Sequence, residues 1–308
     1  MKIIIFFLTL VLPITPLSFA LAEKNNIIKN SSIFIQRPIE TWKNEKFIFH
    51  TKPLSLRKFY YPNIVRKNIS PDSMQNIHPP YEECAGRIGT IEKIIPNNKG
   101  EFLVTIKMDD TGAIYDAESK GTCIDGLIAL KDIANAQKSF MGKSFYYLDQ
   151  NILTYNEKTG EYKPVYAKKY SCIKIIGVEP GLDNKTPVRL LLETNNEQKG
   201  FIDINLSGTN VPKNISKKNR FYDYFSMENP ESWTNDIKNL IEIKMVKPGM
   251  TISQARMSWG EPDYIEIKSD VATKQEKWIY PYNDTLFFEN GILKKSEKSI
   301  LETTEQKK

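Results

Sequence analysis

Short runs of alternating apolar and polar residues fill the middle of the chain, from Cys84 to Asn205, and they constrain its fold more than any other feature. The clearest runs are RIGTIEKI, EFLVTIKMDD, CIKIIGVEP, PVRLLLETNN and KGFIDIN. Alternation of this kind is typical of β-strands that are buried on one face. The runs are separated by PNNKG, EKTGE and NNEQKG, whose Asn and Gly residues favour tight turns. The sequence therefore predicts antiparallel hairpins throughout residues 84–212.

The predicted strands fall into two series that resemble each other. IEKIIPNNKGEFLVTIKMDDTGAIYD can be aligned with CIKIIGVEPGLDNKTPVRLLLETNNEQKGFID when a few gaps are allowed. Self-similarity of this kind indicates a repeated structural unit, so we expect two small, related β-barrels. In general character the region resembles bacterial SH3-like barrels. That resemblance implies modules that bind peptidoglycan or peptides.

The last part of the chain combines helix signals with strand signals. The sequence NPE, which begins at Asn229, favours a helix start, and Thr251 with Gln254 fits a capping box that opens a second helix. Gly260 can end this helix because glycine readily adopts the left-handed conformation. Alternating residues follow, and Asn290–Gly291 predicts a tight hairpin. We therefore expect two helices followed by three antiparallel strands.

Two stretches of this C-terminal part carry a family resemblance. VKPGMTISQARMSWGEPDYIEI and EKWIYPYNDTLFFENGILKKSE resemble the SmpA/OmlA family, also called BamE-like, in the order and spacing of their elements. The resemblance implies an ααβββ fold and a place in the bacterial envelope, where members serve as small binding subunits of the outer-membrane β-barrel assembly machinery. This chain departs from the family in lacking a lipid-attachment cysteine and in carrying a long β-rich region ahead of the domain.

We therefore predict an α+β fold class, with a β-rich, SH3-like small-barrel region followed by a C-terminal ααβββ BamE-like domain. The predicted divisions are a signal peptide at 1–22, an extended lead-in at 23–83, the β-rich region at 84–212, a linker at 213–228, the C-terminal domain at 229–298 and a flexible tail at 299–308.

The N-terminus has the pattern of an export signal. MKIIIFFLTLVLPITPLSFALAEKNN contains an early lysine, a short apolar run and small residues before the expected cleavage after Ala22. A retained membrane anchor is the alternative, but the apolar run is shorter than a membrane span and is followed by Pro13 and Pro16. No cysteine lies directly after the expected cleavage site, and the first one in the chain is Cys84, so we expect no lipid anchor. We expect a periplasmic or secreted protein with no transmembrane segment after cleavage.

Cys84, Cys123 and Cys172 would then lie in an oxidising compartment. An odd number of cysteines permits one disulfide and one remaining thiol. We predict a Cys84–Cys123 disulfide because these two bracket one predicted β-unit, and both other pairings stay open. The chain has no C-x-x-C pair and its histidines are His50 and His78, so we predict no metal or cofactor site.

The sequence also favours a protein without catalytic activity. It contains no G-x-S-x-G elbow, no phosphate-binding loop and no H-E-x-x-H motif. Cys123 has no adjacent cation to lower the pKa of its thiol. Asp109 and Asp110 are paired carboxylates, but MDDTG is an ordinary turn sequence.

The remaining interpretation is that the chain is a binding protein. Trp278, Tyr280 and Phe288 are our candidate partner-binding residues, because aromatic side chains alternate along the predicted C-terminal strands and some must face away from the helices. The expected partners are other envelope proteins, including components of outer-membrane barrel assembly. The formal net charge is +6, but the lysines are scattered, so we expect no nucleic-acid partner.

Two alternative functions remain. The basic balance could favour binding to peptidoglycan, on whose sugars a group of tyrosines in the β-rich region could stack. These tyrosines are Tyr146, Tyr147, Tyr155 and Tyr162. The other alternative is an inhibitor that presents an aromatic sheet to an envelope enzyme.

Overall fold

The computed structural model describes residues 28–29, 34–67, 77–121, 123–215, 219–269 and 272–298, and only the backbone of 28–29. The predicted signal peptide and the predicted C-terminal tail lie outside these residues. The described strands form three antiparallel sheets of six, seven and five strands. Two of the sheets are curved into half-barrels. We call the six- and seven-stranded sheets, with the helices packed on them, the first and second β-modules, and the third sheet the C-terminal sheet.

Strand β1 (Ile28–Lys29) joins the C-terminal sheet, and the first β-module follows it in the chain. The elements of this module are β2 (Lys46–Phe49), β3 (Ile64–Arg66), α1 (Tyr81–Cys84), β4 (Ile88–Pro96), β5 (Phe102–Met108), β6 (Ile114–Glu118) and β7 (Leu127–Ala129). Its strand order is β3-β6-β5-β4-β2-β7.

Much of the predicted lead-in at 23–83 belongs to this module. It supplies β2 and β3, and the ring of Trp42 is fully buried against Phe47, with the ring centroids 4.6 Å apart. Strands of four and three residues are too short to show a convincing alternation in sequence. Their apolar side chains are nevertheless needed to close the first hydrophobic core.

The second β-module begins directly after β7. Its elements are α2 (Leu130–Phe140), β8 (Ser144–Tyr147), β9 (Asn151–Tyr155), β10 (Tyr162–Tyr166), β11 (Cys172–Pro180), β12 (Val188–Thr194), β13 (Lys199–Ile204), α3 (Phe221–Tyr224) and β14 (Phe225–Ser226). The strand order is β10-β9-β13-β12-β11-β8-β14. Helix α2 contributes Ile133, Ala136 and Phe140 to the core of this module.

The two modules have the same topology. When β3, β6, β5, β4, β2 and β7 are matched in order with β9, β13, β12, β11, β8 and β14, each strand occupies the same place in its sheet and the same place in the chain. The second module adds one edge strand, β10. Both β4 and β11 also contain a bulge, between Ile91 and Lys93 and between Ile175 and Gly177. The similarity seen in sequence therefore corresponds to a repeated strand order.

Two buried asparagines connect the modules. The side chain of Asn210 accepts a hydrogen bond from the backbone N–H of Ile124 at 2.7 Å, and the amide of Asn184 donates to the carbonyl of Leu127 at 2.7 Å. Both asparagines come from loops of the second module and bind the segment between β6 and β7 of the first. Buried polar groups that are satisfied in this way fix a unique arrangement.

The C-terminal part contains α4 (Asn235–Glu242), α5 (Ile252–Trp259), β15 (Tyr264–Ser269), β16 (Lys274–Ile279), β17 (Thr285–Glu289) and β18 (Ile292–Glu297). Its sheet has the order β1-β15-β16-β17-β18. Strand β14 and helix α3, by contrast, come from the predicted linker and belong to the second module.

The predicted α+β fold class with an ααβββ domain is wrong. The described residues are mostly β, with 38% strand and 20% helix, and among them no C-terminal ααβββ domain is evident. The predicted Asn290–Gly291 turn forms, with φ of 49° and 81°, but the described strands after α5 number four, β15 to β18, rather than three. A fifth strand, β1, comes from the other end of the chain, so the sheet is not built from C-terminal residues alone.

Some local predictions for this region are confirmed and one is wrong. Thr251 and Gln254 form the capping box, and Gly260 ends α5 with a φ of 79°. The helix start expected at Asn229 is not found there: Pro230–Ser232 forms a separate 3-10 turn, Trp233 and Thr234 are extended, and α4 begins at Asn235 with the side chain of Thr234 as its cap. The confirmed signals depend only on neighbouring residues, which is why the sequence reveals them.

Candidate functional site

The three predicted partner-binding residues lie in the core beneath the C-terminal sheet. Trp278, Tyr280 and Phe288 are 0%, 7% and 2% exposed. The rings of Trp278 and Phe288 are 4.7 Å apart, and the apolar faces of α4 and α5 pack over them. An exposed aromatic face made of these residues is therefore not present. Burial follows from register, because Trp278 and Leu286 are paired on the face that the helices cover.

Tyr280 nevertheless reaches a cleft of about 670 Å³ between the second β-module and the C-terminal part. We call this the C-terminal cleft. Its main side chains are Tyr222, Lys244, Arg256, Trp259, Tyr280 and Tyr282. The hydroxyl of Tyr280 donates to the carbonyl of Gly260 at 3.0 Å, and its ring meets that of Trp259 edge-on at 5.3 Å. These contacts hold one aromatic wall in place.

The cleft is also lined by Tyr282, which is 76% exposed. Tyr282 and Asn283 both have a φ of 63°, within the short turn after β16. Two consecutive non-glycine residues in this conformation cost on the order of 1–2 kcal/mol each. The protein therefore tolerates local strain in the turn that presents an aromatic ring at the cleft, as is common in binding loops.

The charges around the C-terminal cleft balance. Arg256 lies between the rings of Tyr222 and Trp278, at 3.9 and 4.4 Å, and its Nε donates to Glu261 at 2.7 Å. Lys244 and Arg256 line the cleft together with two acidic side chains. Those two are Asp223 and Asp284. The cleft is therefore suited to stacking on, and burying, uncharged groups.

Burial keeps the hydroxyl of Tyr280 in its neutral, protonated form. It raises the pKa of Tyr280 far above its usual range, with a smaller contribution in the same direction from Glu261 and an opposing one from Arg256. A protonated tyrosine hydroxyl acts as a hydrogen-bond donor rather than as a base. A hydroxyl that donates hydrogen bonds and does not act as a base fits a site that binds a ligand.

Sequence reasoning missed most of the cleft. Tyr222 and Tyr282 lie far apart in the chain, and Arg256 is one of many scattered cations. The stretch YPYND could have indicated part of the cleft, because two tyrosines flank a proline in a turn between predicted strands. Only the docking of α3 against α5 brings Tyr222 to the same place.

The tyrosines proposed for sugar stacking separate into two groups. Tyr147 is buried in the second core and Tyr146 is partly buried. Tyr155 and Tyr162 lie on the other face of their strands, with ring centroids 5.2 Å apart. The structure therefore brings only these two together.

The predicted Cys84–Cys123 disulfide is not formed. All three cysteines are described, and none of them forms a disulfide. Cys84 is enclosed in the first core, where burial raises the pKa of its thiol to about 12. Cys123 faces the second module, and its thiol donates to the carbonyl of Asn210 at 3.3 Å. Cys84 and Cys123 are thus packed in different environments.

The candidate acid and histidine residues have structural contacts. Asp109 accepts from Lys46 at 2.6 Å, and Asp110 pairs with Arg87 at 3.2 Å. The Nδ1 atoms of His50 and His78 lie 3.0 and 2.8 Å from backbone carbonyls, those of Thr51 and Ile64 respectively. These four residues lie apart from the C-terminal cleft.

Within the ranges that the structure describes, no group of three or more His, Cys, Asp or Glu residues is placed to hold a metal ion. In the same ranges no helix has the length and apolar character needed to cross a membrane. No family model, curated protein or solved structure matches this chain.

Proposed function

We propose that this protein is a non-enzymatic binding protein of the bacterial envelope that holds an apolar segment of another envelope protein in the C-terminal cleft. The observation that carries the proposal is an open cleft of about 670 Å³ with fixed aromatic walls and an exposed tyrosine at its rim. Aromatic side chains in partly formed pockets are the usual anchors of protein interfaces.

The surroundings of the cleft support a protein partner. Ile243 and Met245 flank Lys244, and both are exposed apolar side chains. The hydroxyl of Ser258, inside α5, donates to the carbonyl of Met245 at 2.8 Å, which ties this apolar rim to the cleft wall. Exposed apolar side chains beside a concave site are typical of an interaction surface.

The envelope setting comes from the sequence. The apolar run before Ala22 has the pattern of an export signal, and these residues lie outside the described part of the chain. Envelope proteins, including components of outer-membrane barrel assembly, are accordingly the partners that we propose to test first.

Photocrosslinking in living cells tests the proposal. A photoreactive residue is placed at Tyr282, and the matched control carries it at Tyr264, which is also exposed but lies on β15 outside the cleft. We expect adducts with another envelope protein from position 282 and none from position 264. Adding Trp259→Phe, which makes the aromatic wall of the cleft smaller, should reduce the yield.

Equal adduct patterns from the two positions would contradict a specific cleft site, and so would the absence of intermolecular adducts from position 282. Tyr282→Ala should leave the thermal midpoint within about 2 °C of wild type, since the side chain is on the surface. This control separates a loss of binding from a loss of folding.

A further inference from the structure

The outer faces of the two β-modules differ although their strand orders agree. Each module has three outward-facing pairs on its two equivalent central strands. These are Leu103–Glu118, Thr105–Asp116 and Lys107–Ile114 in the first, and Arg189–Asp203, Leu191–Phe201 and Glu193–Lys199 in the second. The middle pair is hydrogen-bonded and polar in the first module, with Thr105 donating to Asp116 at 2.7 Å. In the second module the middle pair is apolar.

The additional strand β10 extends this apolar area. Tyr162 and Tyr166 lie on its outer face, four residues apart, which corresponds to about 13 Å along a strand. They are 45% and 65% exposed. The ring of Tyr162 is 5.2 Å from that of Tyr155 and 5.9 Å from that of Phe201. We call the cluster of Tyr155, Tyr162, Tyr166 and Phe201 the aromatic platform: Tyr162 and Tyr166 are its exposed part, Tyr155 is half-buried, and Phe201 is buried at 5% exposed.

The charged residues on the outer faces of β12 and β13 form two ion pairs. Arg189 donates two hydrogen bonds to Asp203, at 2.7 and 2.8 Å, and its guanidinium lies 3.6 Å from the centre of the Phe201 ring. At the other end of the face, Lys199 pairs with Glu193 at 3.6 Å. A platform with paired charges gives no net attraction to an anionic polymer. It therefore suits a neutral ligand.

The edge of the platform disfavours an added peptide strand. β10 is the last strand of its sheet, and Pro164 lies at its centre. Proline has no backbone N–H, so this edge lacks a donor that strand addition would use.

We propose that the aromatic platform binds a neutral pyranose chain. The C–H faces of sugar rings pack on aromatic rings, whose π-faces carry negative charge density. Two exposed tyrosines about 13 Å apart match a ligand that is long and repetitive rather than a single small molecule. The proposal is independent of the C-terminal cleft, because the two sites share no residue.

Co-sedimentation of the purified full chain with insoluble glycans tests the proposal. Chitin and cellulose are the two probes, since both are uncharged pyranose chains, one of amino sugars and one of plain glucose, and both offer stacking faces. We expect pelleting with at least one glycan, weakened on the order of tenfold when Tyr162→Ala and Tyr166→Ala are combined. The matched double change to Phe should retain binding within about threefold, because the rings remain.

Tyr264→Ala serves as the control, because Tyr264 is 57% exposed on the C-terminal sheet. Raising the salt concentration from about 50 to about 500 mM should leave pelleting nearly unchanged, as the platform charges are paired. Three results would overturn the proposal: no pelleting with either glycan, pelleting abolished by salt, or equal losses in the Tyr264 control and the platform variant. Binding to one glycan only would identify the class of sugar.

Discussion

The two β-modules share one strand order, yet they present different surfaces. Inward-facing residues of β5 and β12 are apolar in both modules, as in Ile106 and Leu190, and both are fully buried. Outward-facing residues differ, since the first module has a hydrogen-bonded Thr105–Asp116 pair where the second has Leu191–Phe201. The fold thus depends on one face of each sheet, and the other face is available for specialisation.

Equivalent substitutions in the two hydrophobic cores should reduce the free energy of unfolding by equal amounts. Ile106→Ala and Leu190→Ala each remove a fully buried side chain from the centre of a module, so each should reduce the free energy of unfolding by about 4 kcal/mol. Hydrogen exchange on peptides covering β5 and β12 can measure each module separately. A cost below about 1 kcal/mol in one module would show that the two cores are not equivalent.

Removing an outward-facing carboxylate should lower the free energy of unfolding more in the second module than in the first. Asp203→Ala leaves the buried Arg189 without its carboxylate partner, and we expect a loss of about 3 kcal/mol in the free energy of unfolding. Asp116→Ala removes a hydrogen bond to Thr105 and a distant lysine contact, so its cost should be about 1 kcal/mol. Chemical denaturation of both variants measures the two losses in the free energy of unfolding. Equal costs would contradict the different roles that we assign to the two faces.

Each module also holds a buried ionisable group, and the two respond to pH in opposite directions. Burial raises the pKa of Asp132, on α2, to about 6, although a hydrogen bond from Ser207 and the charge of Arg37 oppose this. Burial lowers the pKa of His50 below its usual value, although a hydrogen bond to the Thr51 carbonyl opposes it.

Asp132 therefore binds its proton more tightly in the folded state than in the unfolded state. Its stabilising contribution is complete below about pH 4 and is lost as the pH rises through about 6. Between about pH 4.5 and pH 7 the loss should be roughly 2 kcal/mol. His50 contributes above its unfolded pKa of about 6.5, and that contribution is lost as the pH falls.

Free energies of unfolding measured across this pH range for Asp132→Asn and His50→Asn separate the two effects. Asp132→Asn should remove the decline from about pH 4.5 to about pH 7, and His50→Asn should remove an acid-side decline below about pH 6.5. Unchanged pH profiles in either variant would show that the corresponding group is not buried in the way the structure indicates.

Local features were predictable because short stretches of sequence encode them. The Thr251–Gln254 capping box and the Asn290–Gly291 turn are determined by neighbouring residues, and both are confirmed. The β character of the middle region and the similarity of its two halves were also visible. Strands β2 and β3 were missed because they are very short, and their place in the sheet depends on pairing with distant strands.

The candidate site was much less predictable than the fold. Tyr280 was selected as an exposed ring, but the packing of α4 and α5 buries it in the core, although it also lines the cleft. Tyr162 was selected as a stacking residue, and it does lie on an exposed face. Its neighbours Phe201 and Arg189 come from other strands, so no local pattern could have identified them.

The β-rich character of the chain, its turns, its helix caps and the repetition of its strands follow from alternation and turn chemistry, which act over a few residues and can therefore be recognised in the sequence. Which aromatic side chains are buried and which remain on the surface depends on the packing of the folded chain. Burial depends on which other elements cover each face of a sheet, and those elements are distant in the chain. The C-terminal cleft and the aromatic platform exist only because separate elements meet there.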